Sequence, residues 1–224
     1  MTEDPADAHV RRLATEAIAA DDTTGWFERL YLEAERGEAV VPWDRGVPQK
    51  ALVEWTDANG VRGEGRRALV VGCGLGSDAE HIAGLGYDTV GFDISEAAVR
   101  AARRRFPDSG VEYQRADLLD PPAGWRQAYD LVVESLTVQS MPVRLRQQAI
   151  ANVADFVAPG GALLVIAAVR DAGGLVHGPP WPLTRAEVEA FAFGGLDTVG
   201  VEQLADPGRE APHRWRAEFR RSSR

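Results

Sequence analysis

The stretch Arg67-Ala68-Leu69-Val70-Val71-Gly72-Cys73-Gly74-Leu75-Gly76-Ser77-Asp78-Ala79-Glu80, continued to Asp93, decides the fold. Its opening run of apolar residues lacks polar alternation and so predicts a strand buried on both faces. The strand empties into three glycines spaced G-x-G-x-G, a turn where backbone can come close to a ligand. Ser77-Asp78-Ala79-Glu80 fits a capping box, so a helix is expected to begin at the turn with its free N–H groups facing whatever lies there. Residues 87–92 predict a second strand, which Asp93 closes about twenty residues after the turn, where a carboxylate can accept both hydroxyls of a ribose. The run as a whole predicts a site for an adenosine-bearing cofactor.

Outward from this unit the alternation continues. A helix is predicted over 95–106, strands over 111–115 and 129–133, a helix over 142–157, a turn at Pro159-Gly160-Gly161 and an apolar strand over 162–168. Regular β/α alternation implies a parallel sheet with helices on both faces. After a Gly/Pro-rich segment at 171–182, Thr184-Arg185-Ala186-Glu187 predicts a capped helix. Strands at 197–204 and 213–221 have no helix between them and are expected to pair as an antiparallel hairpin at the sheet edge. Upstream, helical periodicity over 9–20 and 25–36 predicts two helices, too few to fold alone, whose apolar residues Trp26, Leu30 and Tyr31 are expected to cover part of the sheet. A third helix is predicted over 48–55. The expected organisation is an N-terminal helical lid over 1–50 and a Rossmann-like α/β core over 51–224.

Composition narrows the function. Asp and Glu outnumber Lys and Arg 34 to 25, a net charge of −9 that argues against a nucleic-acid surface. Arg103-Arg104-Arg105 and the Arg-rich C-terminus are local exceptions and read as a solvated helix end and tail. A single cysteine excludes an intrachain disulfide, the acidic N-terminus is unlike a signal peptide, and no apolar run reaches membrane-spanning length. These features predict a soluble cytoplasmic protein, a monomer or homodimer, acting on a small molecule without nucleic acid or membrane. The histidines fall outside any metal-ligand spacing, so no metal is expected.

Gly72 to Gly76, Asp93, Asp117 and Pro159-Gly160-Gly161 stand in the order found in class I S-adenosylmethionine-dependent methyltransferases, which residues 68–221 resemble. The resemblance implies a seven-stranded, mostly parallel sheet with one antiparallel strand, and S-adenosyl-L-methionine as cofactor across the C-terminal ends of the strands. A narrower resemblance is to the thiopurine S-methyltransferase-like group, with its thiol and halide methyltransferases. That group lacks the acidic residue replaced here by Val70 and carries an Asp matching Asp78. Val41-Pro42-Trp43-Asp44-Arg45-Gly46 is similar to its tryptophan-bearing segment, and Gly178-Pro179-Pro180-Trp181-Pro182-Leu183-Thr184 to its substrate loop.

The residues expected at the cofactor are Trp43, Gly72, Cys73, Gly74, Gly76, Asp78, Asp93, Ile94, Asp117, Leu118 and Glu134. Trp43 is either a core residue or an indole face set against the sulfonium charge. Asp78 also suits the first turn of a helix, Asp117 is otherwise a loop carboxylate, and Cys73 reads as a small turn residue. Arg45, Arg170 and His177 are the polar candidates for contacting the acceptor. Methyl transfer from a sulfonium consumes positive charge, so alignment and desolvation matter more than acid catalysis. A thiol, with a pKa of about 8.5, needs only a nearby cation, whereas an alcohol needs a strong base. With Lys50 the only lysine, the sequence favours a thiol or sulfide over a small-molecule O- or N-acceptor. A nicotinamide-dependent oxidoreductase is the rival from another class. It would carry its third glycine one residue later, where Ser77 stands.

Overall fold

The computed structural model describes residues 4–171, 173, 178–205 and 213–223. Seven strands form one sheet: β1 (Arg67–Val71), β2 (Asp88–Asp93), β3 (Glu112–Arg115), β4 (Tyr129–Ser135), β5 (Val157–Ala168), β6 (Leu196–Leu204) and β7 (Arg214–Arg221). Their spatial order is β3-β2-β1-β4-β5-β7-β6. β1 to β5 pair in parallel, and β7 runs antiparallel to both β5 and β6. The chain order reverses between β1 and β4, the crevice where open α/β sheets bind ligands.

The apolar run of β1 is buried on both faces for a simple reason. Leu69 and Val71 join one core cluster with α6 (Val143–Asp155), while Ala68 and Val70 join another with α3 (Lys50–Ala58), α4 (Ser77–Gly84) and α5 (Glu96–Arg105). The helix α7 (Arg185–Glu189) starts with a complete capping box between Thr184 and Glu187, as its sequence predicts. No helix among the described residues is long and apolar enough to cross a membrane.

Three expectations need correction. The helices α1 (Pro5–Ala19) and α2 (Gly25–Glu35) do not cover the sheet: Val10, Leu13, Trp26, Leu30 and Tyr31 pack with Val41 and with Ala97 and Ala98 of α5, in a cluster without a strand residue. α5 is a better seat because its arginines reach back: Arg100 and Arg104 pair with Glu35, and Arg105 with Asp44. Ser77 caps nothing. The left-handed Gly76 is the N-cap, Ser77 Oγ is buried without a partner, and Glu80 accepts the Tyr113 hydroxyl at 2.6 Å. The bend at Pro159-Gly160-Gly161 lies inside β5 rather than before it. Val157 pairs with Tyr129 and Ala162 with Leu131, so residues 158–161 bulge out of the ladder around the left-handed Gly160.

Candidate cofactor and acceptor site

The C-terminal ends of β1, β2 and β4 open on a cavity of about 490 Å³, also lined by residues of the N-terminal segment and of 179–182. Its base follows from the backbone of the glycine turn. Gly72, Gly74 and Gly76 all have positive φ, and a Cβ on Gly76 would stand 2.4 Å from the Tyr113 hydroxyl. A side chain there would therefore strain the backbone and displace Tyr113.

Asp93 ends β2 at 6% exposure, with Oδ2 accepting the Gly74 amide at 3.0 Å and Oδ1 the Ser95 amide at 2.9 Å. Burial pushes its pKa up to about 6, against the lowering effect of those amides. Each oxygen keeps a further lone pair, which two vicinal hydroxyls can fill. Asp78, in the first turn of α4, accepts the Gln49 amide at 2.7 Å and is raised by burial. That bond ties the segment after Trp43 to the glycine turn. Burial likewise raises the Cys73 thiol well above its ordinary value, so it is held as a neutral thiol.

The sequence candidates divide clearly. Trp43, Arg45, Gly72, Cys73, Gly74, Gly76, Asp78, Asp93, Ile94, Asp117 and Leu118 all line the cavity. Asp117 holds its loop by accepting the Leu119 amide at 2.8 Å. Glu134 is not among the lining residues: it is buried in β4, and its Oε1 accepts the Thr137 and Val138 amides at 2.8 and 2.9 Å. Arg170 is absent from the lining too. It donates to Pro182 O at 3.0 Å and Glu187 at 2.6 Å, because a carboxylate within reach satisfies a guanidinium better than an open cavity does. His177 lies outside the described residues.

Sequence reasoning also missed contributors. Ser135 at the end of β4, and Leu136, Thr137, Gln139, Ser140 and Met141 directly after it, line the cavity, with Leu136 held at φ 63°. The rule that ligands sit beyond strand C-termini, applied past β1 to β3, also covers this segment. Tyr31 is buried at 4% exposure, lines the cavity and accepts the Trp43 indole N–H at 2.9 Å. Trp26 and Phe27 stand edge-on to the same indole at centroid distances of 6.1 and 6.3 Å. The partnerless Ser77 hydroxyl lies in the lining as well. An open glycine backbone, an unfilled hydroxyl and a buried carboxylate with spare lone pairs fit an adenosine-bearing group.

Comparison with known proteins agrees with this geometry. Residues 68–161 match the family model described as a methyltransferase domain. The chain is 24% identical over 185 residues to a 2-heptyl-1-hydroxyquinolin-4(1H)-one methyltransferase of Mycobacteroides abscessus, covering 78% of this chain and 80% of that one. It is 25% identical over 218 residues to a probable thiol methyltransferase 2 of Arabidopsis thaliana, covering 91% and 95%. Among solved structures, magnesium protoporphyrin IX methyltransferase from Synechocystis with bound S-adenosylhomocysteine superposes with a TM-score of 0.61 at 20% identity, over 77% of this chain and 81% of that one. The matched domain over residues 68–161, the sheet order and these relatives support the reading of the chain as an S-adenosylmethionine-dependent methyltransferase with the class I fold.

Proposed function

We propose that this methyltransferase acts on a small soft nucleophile, a thiol or sulfide, in the cavity whose apolar lining includes Val10, Phe27, Met141 and Pro179. One observation carries the reading: the described lining contains Arg11, Arg45 and Arg214 but no lysine or histidine to act as base. Cations favour a thiolate, and a thiol with a pKa of about 8.5 supplies a few per cent of that form near neutrality. Among the described lining residues an unactivated alcohol finds no imidazole or amine to take its proton. The likeness to a probable thiol methyltransferase over most of both chains supports the same reading.

The cofactor, when bound, supplies an electrophilic methyl group on a sulfonium. In our reading Asp93 takes the ribose hydroxyls, Asp117 and Leu118 border the adenine, the glycine turn and Asp78 border the amino-acid tail, and Trp43 presents its indole to the sulfonium. Phe27, Leu136 and Met141 then exclude water from the acceptor and align it. Residues 1–50 act as a lid, held at Gln49 by Asp78 and at Asp44 by Arg105. A second reading, methylation of oxygen or nitrogen on a small molecule, draws on the likeness to the hydroxyquinolone methyltransferase.

The two readings separate in a product-detection assay with S-adenosylmethionine and hydrogen sulfide, small thiols, halides, fatty acids, phenols and amines. Methyl thioethers, formed at a rate that climbs with pH toward the thiol pKa, are expected. Turnover confined to oxygen or nitrogen acceptors would overturn the thiol assignment.

A further inference from the structure

Tyr31 carries a hydrogen-bonding capacity that the fold does not use. Glu28 and Tyr31 are three residues apart on one face of α2, and Glu28 fixes that face by accepting the Ser95 hydroxyl at 2.6 Å and the Ala97 amide at 3.1 Å. Tyr31 is thereby set between Trp43 and the glycine turn: its Oη would stand 3.0 Å from a Cβ on Gly74. An indole can only donate, so the 2.9 Å bond from Trp43 Nε1 occupies a lone pair of the phenol and leaves its O–H free to donate. Among the described residues this is the one hydrogen bond of the Tyr31 side chain. Burial, then the nearby Asp93 carboxyl, raises the phenol well above its ordinary value, so it stays a neutral donor at any working pH.

On the reading of the cavity given above, the sugar and adenine lie with Asp93, Asp117 and Leu118. Beside Gly74, whose amide donates to Asp93, the cofactor offers a lone O–H two acceptors, a ribose hydroxyl and the carboxylate of the amino-acid tail, and the carboxylate, as the one anion of the cofactor, is the stronger. We propose that Tyr31 is a cofactor-binding residue: its hydroxyl donates to the carboxylate of the amino-acid tail while its oxygen holds the Trp43 indole in place. The residue thus reads the end of the cofactor that is not transferred, and discriminates against adenosyl compounds lacking the carboxylate.

The test compares S-adenosylmethionine with decarboxylated S-adenosylmethionine, which keeps the sulfonium and the amine, each measured by displacement of S-adenosylhomocysteine from wild type, Tyr31→Phe and Trp43→Phe. Tyr31→Phe is expected to weaken the carboxylate-bearing compound by at least about tenfold, the scale of a hydrogen bond to a charged group, and the decarboxylated one by less than about twofold. Trp43→Phe keeps the hydroxyl and is expected to affect both compounds alike. Equal losses in Tyr31→Phe, or the same selective loss in Trp43→Phe, would overturn the contact. Failure of the wild type to bind S-adenosylhomocysteine at all would instead overturn the reading of the cavity on which it rests.

Discussion

Glu28 on α2 accepts the hydroxyl of Ser95 at 2.6 Å, and the amide of that serine donates in turn to Asp93 at 2.9 Å. A carboxylate from the N-terminal helices therefore helps to cap α5, and the capped turn holds the carboxylate that ends β2. Few contacts bind α2 to the core as directly, since its cluster contains no strand residue. The N-terminal helices and the Asp93 end of the cavity are thus one hydrogen-bonded unit.

Glu28→Ala should uncouple them. Two bonds to a charged acceptor are lost while Ser95 keeps its own cap on the Ala98 amide at 3.1 Å, so a loss of about 1–3 kcal/mol in stability is expected, with a several-fold weaker affinity for S-adenosylhomocysteine. Thermal unfolding and calorimetric titration check both numbers. Unchanged affinity would mean that the lid and the cofactor end act independently.

Asp93 should make cofactor binding depend on pH. In the free protein its carboxyl is raised from 3.8 to about 6, so its contribution to folding is full below the unfolded value and is lost as pH rises through about 6. Ribose hydroxyls donating to it favour the ionised form, which reverses the preference on binding. Affinity for S-adenosylhomocysteine should therefore rise with pH up to about 6 and then level, with about tenfold weaker binding at pH 5 than on the plateau. Asp93→Asn should bind more weakly and lose this limb. An identical pH profile in the variant would remove Asp93 from the contact.

Glu134 should behave as a structural acceptor. It is raised by burial to about 7, opposed by the Val138 and Thr137 amides, and its Oε2 has no partner. Its stabilising effect is greatest when protonated and fades as pH rises through about 7. Glu134→Gln keeps an oxygen for both amides and removes the buried charge, so its melting temperature should gain on wild type between pH 5 and pH 8, with cofactor affinity unchanged. A fall in affinity would return Glu134 to the site.

Glu187 clamps the end of the 171–182 segment. It receives Arg146, whose side chain is only 5% exposed, at 2.5 Å and Arg170 at 2.6 Å, while the two arginines donate to Trp181 O and Pro182 O. Glu187→Ala strands a buried guanidinium and should cost about 3–5 kcal/mol. Arg170→Ala should lower the melting temperature by less, since it removes the more exposed partner. If it instead abolished turnover while leaving stability intact, Arg170 would be a substrate contact after all.

The sheet was readable because β1 and β5 carry unbroken apolar runs, β1 empties into glycines and β2 ends on a carboxylate, and because strands and helices alternate from β1 to β3 and again from β4 to β5. The glycine turn and Asp93 were readable for the same local reason. Ser77 misled because a serine before an acidic pair satisfies the capping pattern, yet Gly76 in the left-handed region starts the helix one residue earlier and Tyr113 claims Glu80. The seat of α2 was hidden because Glu28 meets Ser95 across 67 residues, and no local pattern encodes such a contact. Arg170 was hidden because its partners lie 12 and 17 residues on, and Glu134 because the amides three and four residues on turn back over its carboxylate.

The most direct test is a crystal structure with S-adenosylhomocysteine. The account predicts the compound in the cavity between the glycine turn and α2, its ribose hydroxyls on Asp93, its adenine beside Asp117 and Leu118, and its carboxylate within reach of the Tyr31 hydroxyl. A compound bound elsewhere on the molecule, or oriented with its sugar away from Asp93, would contradict it.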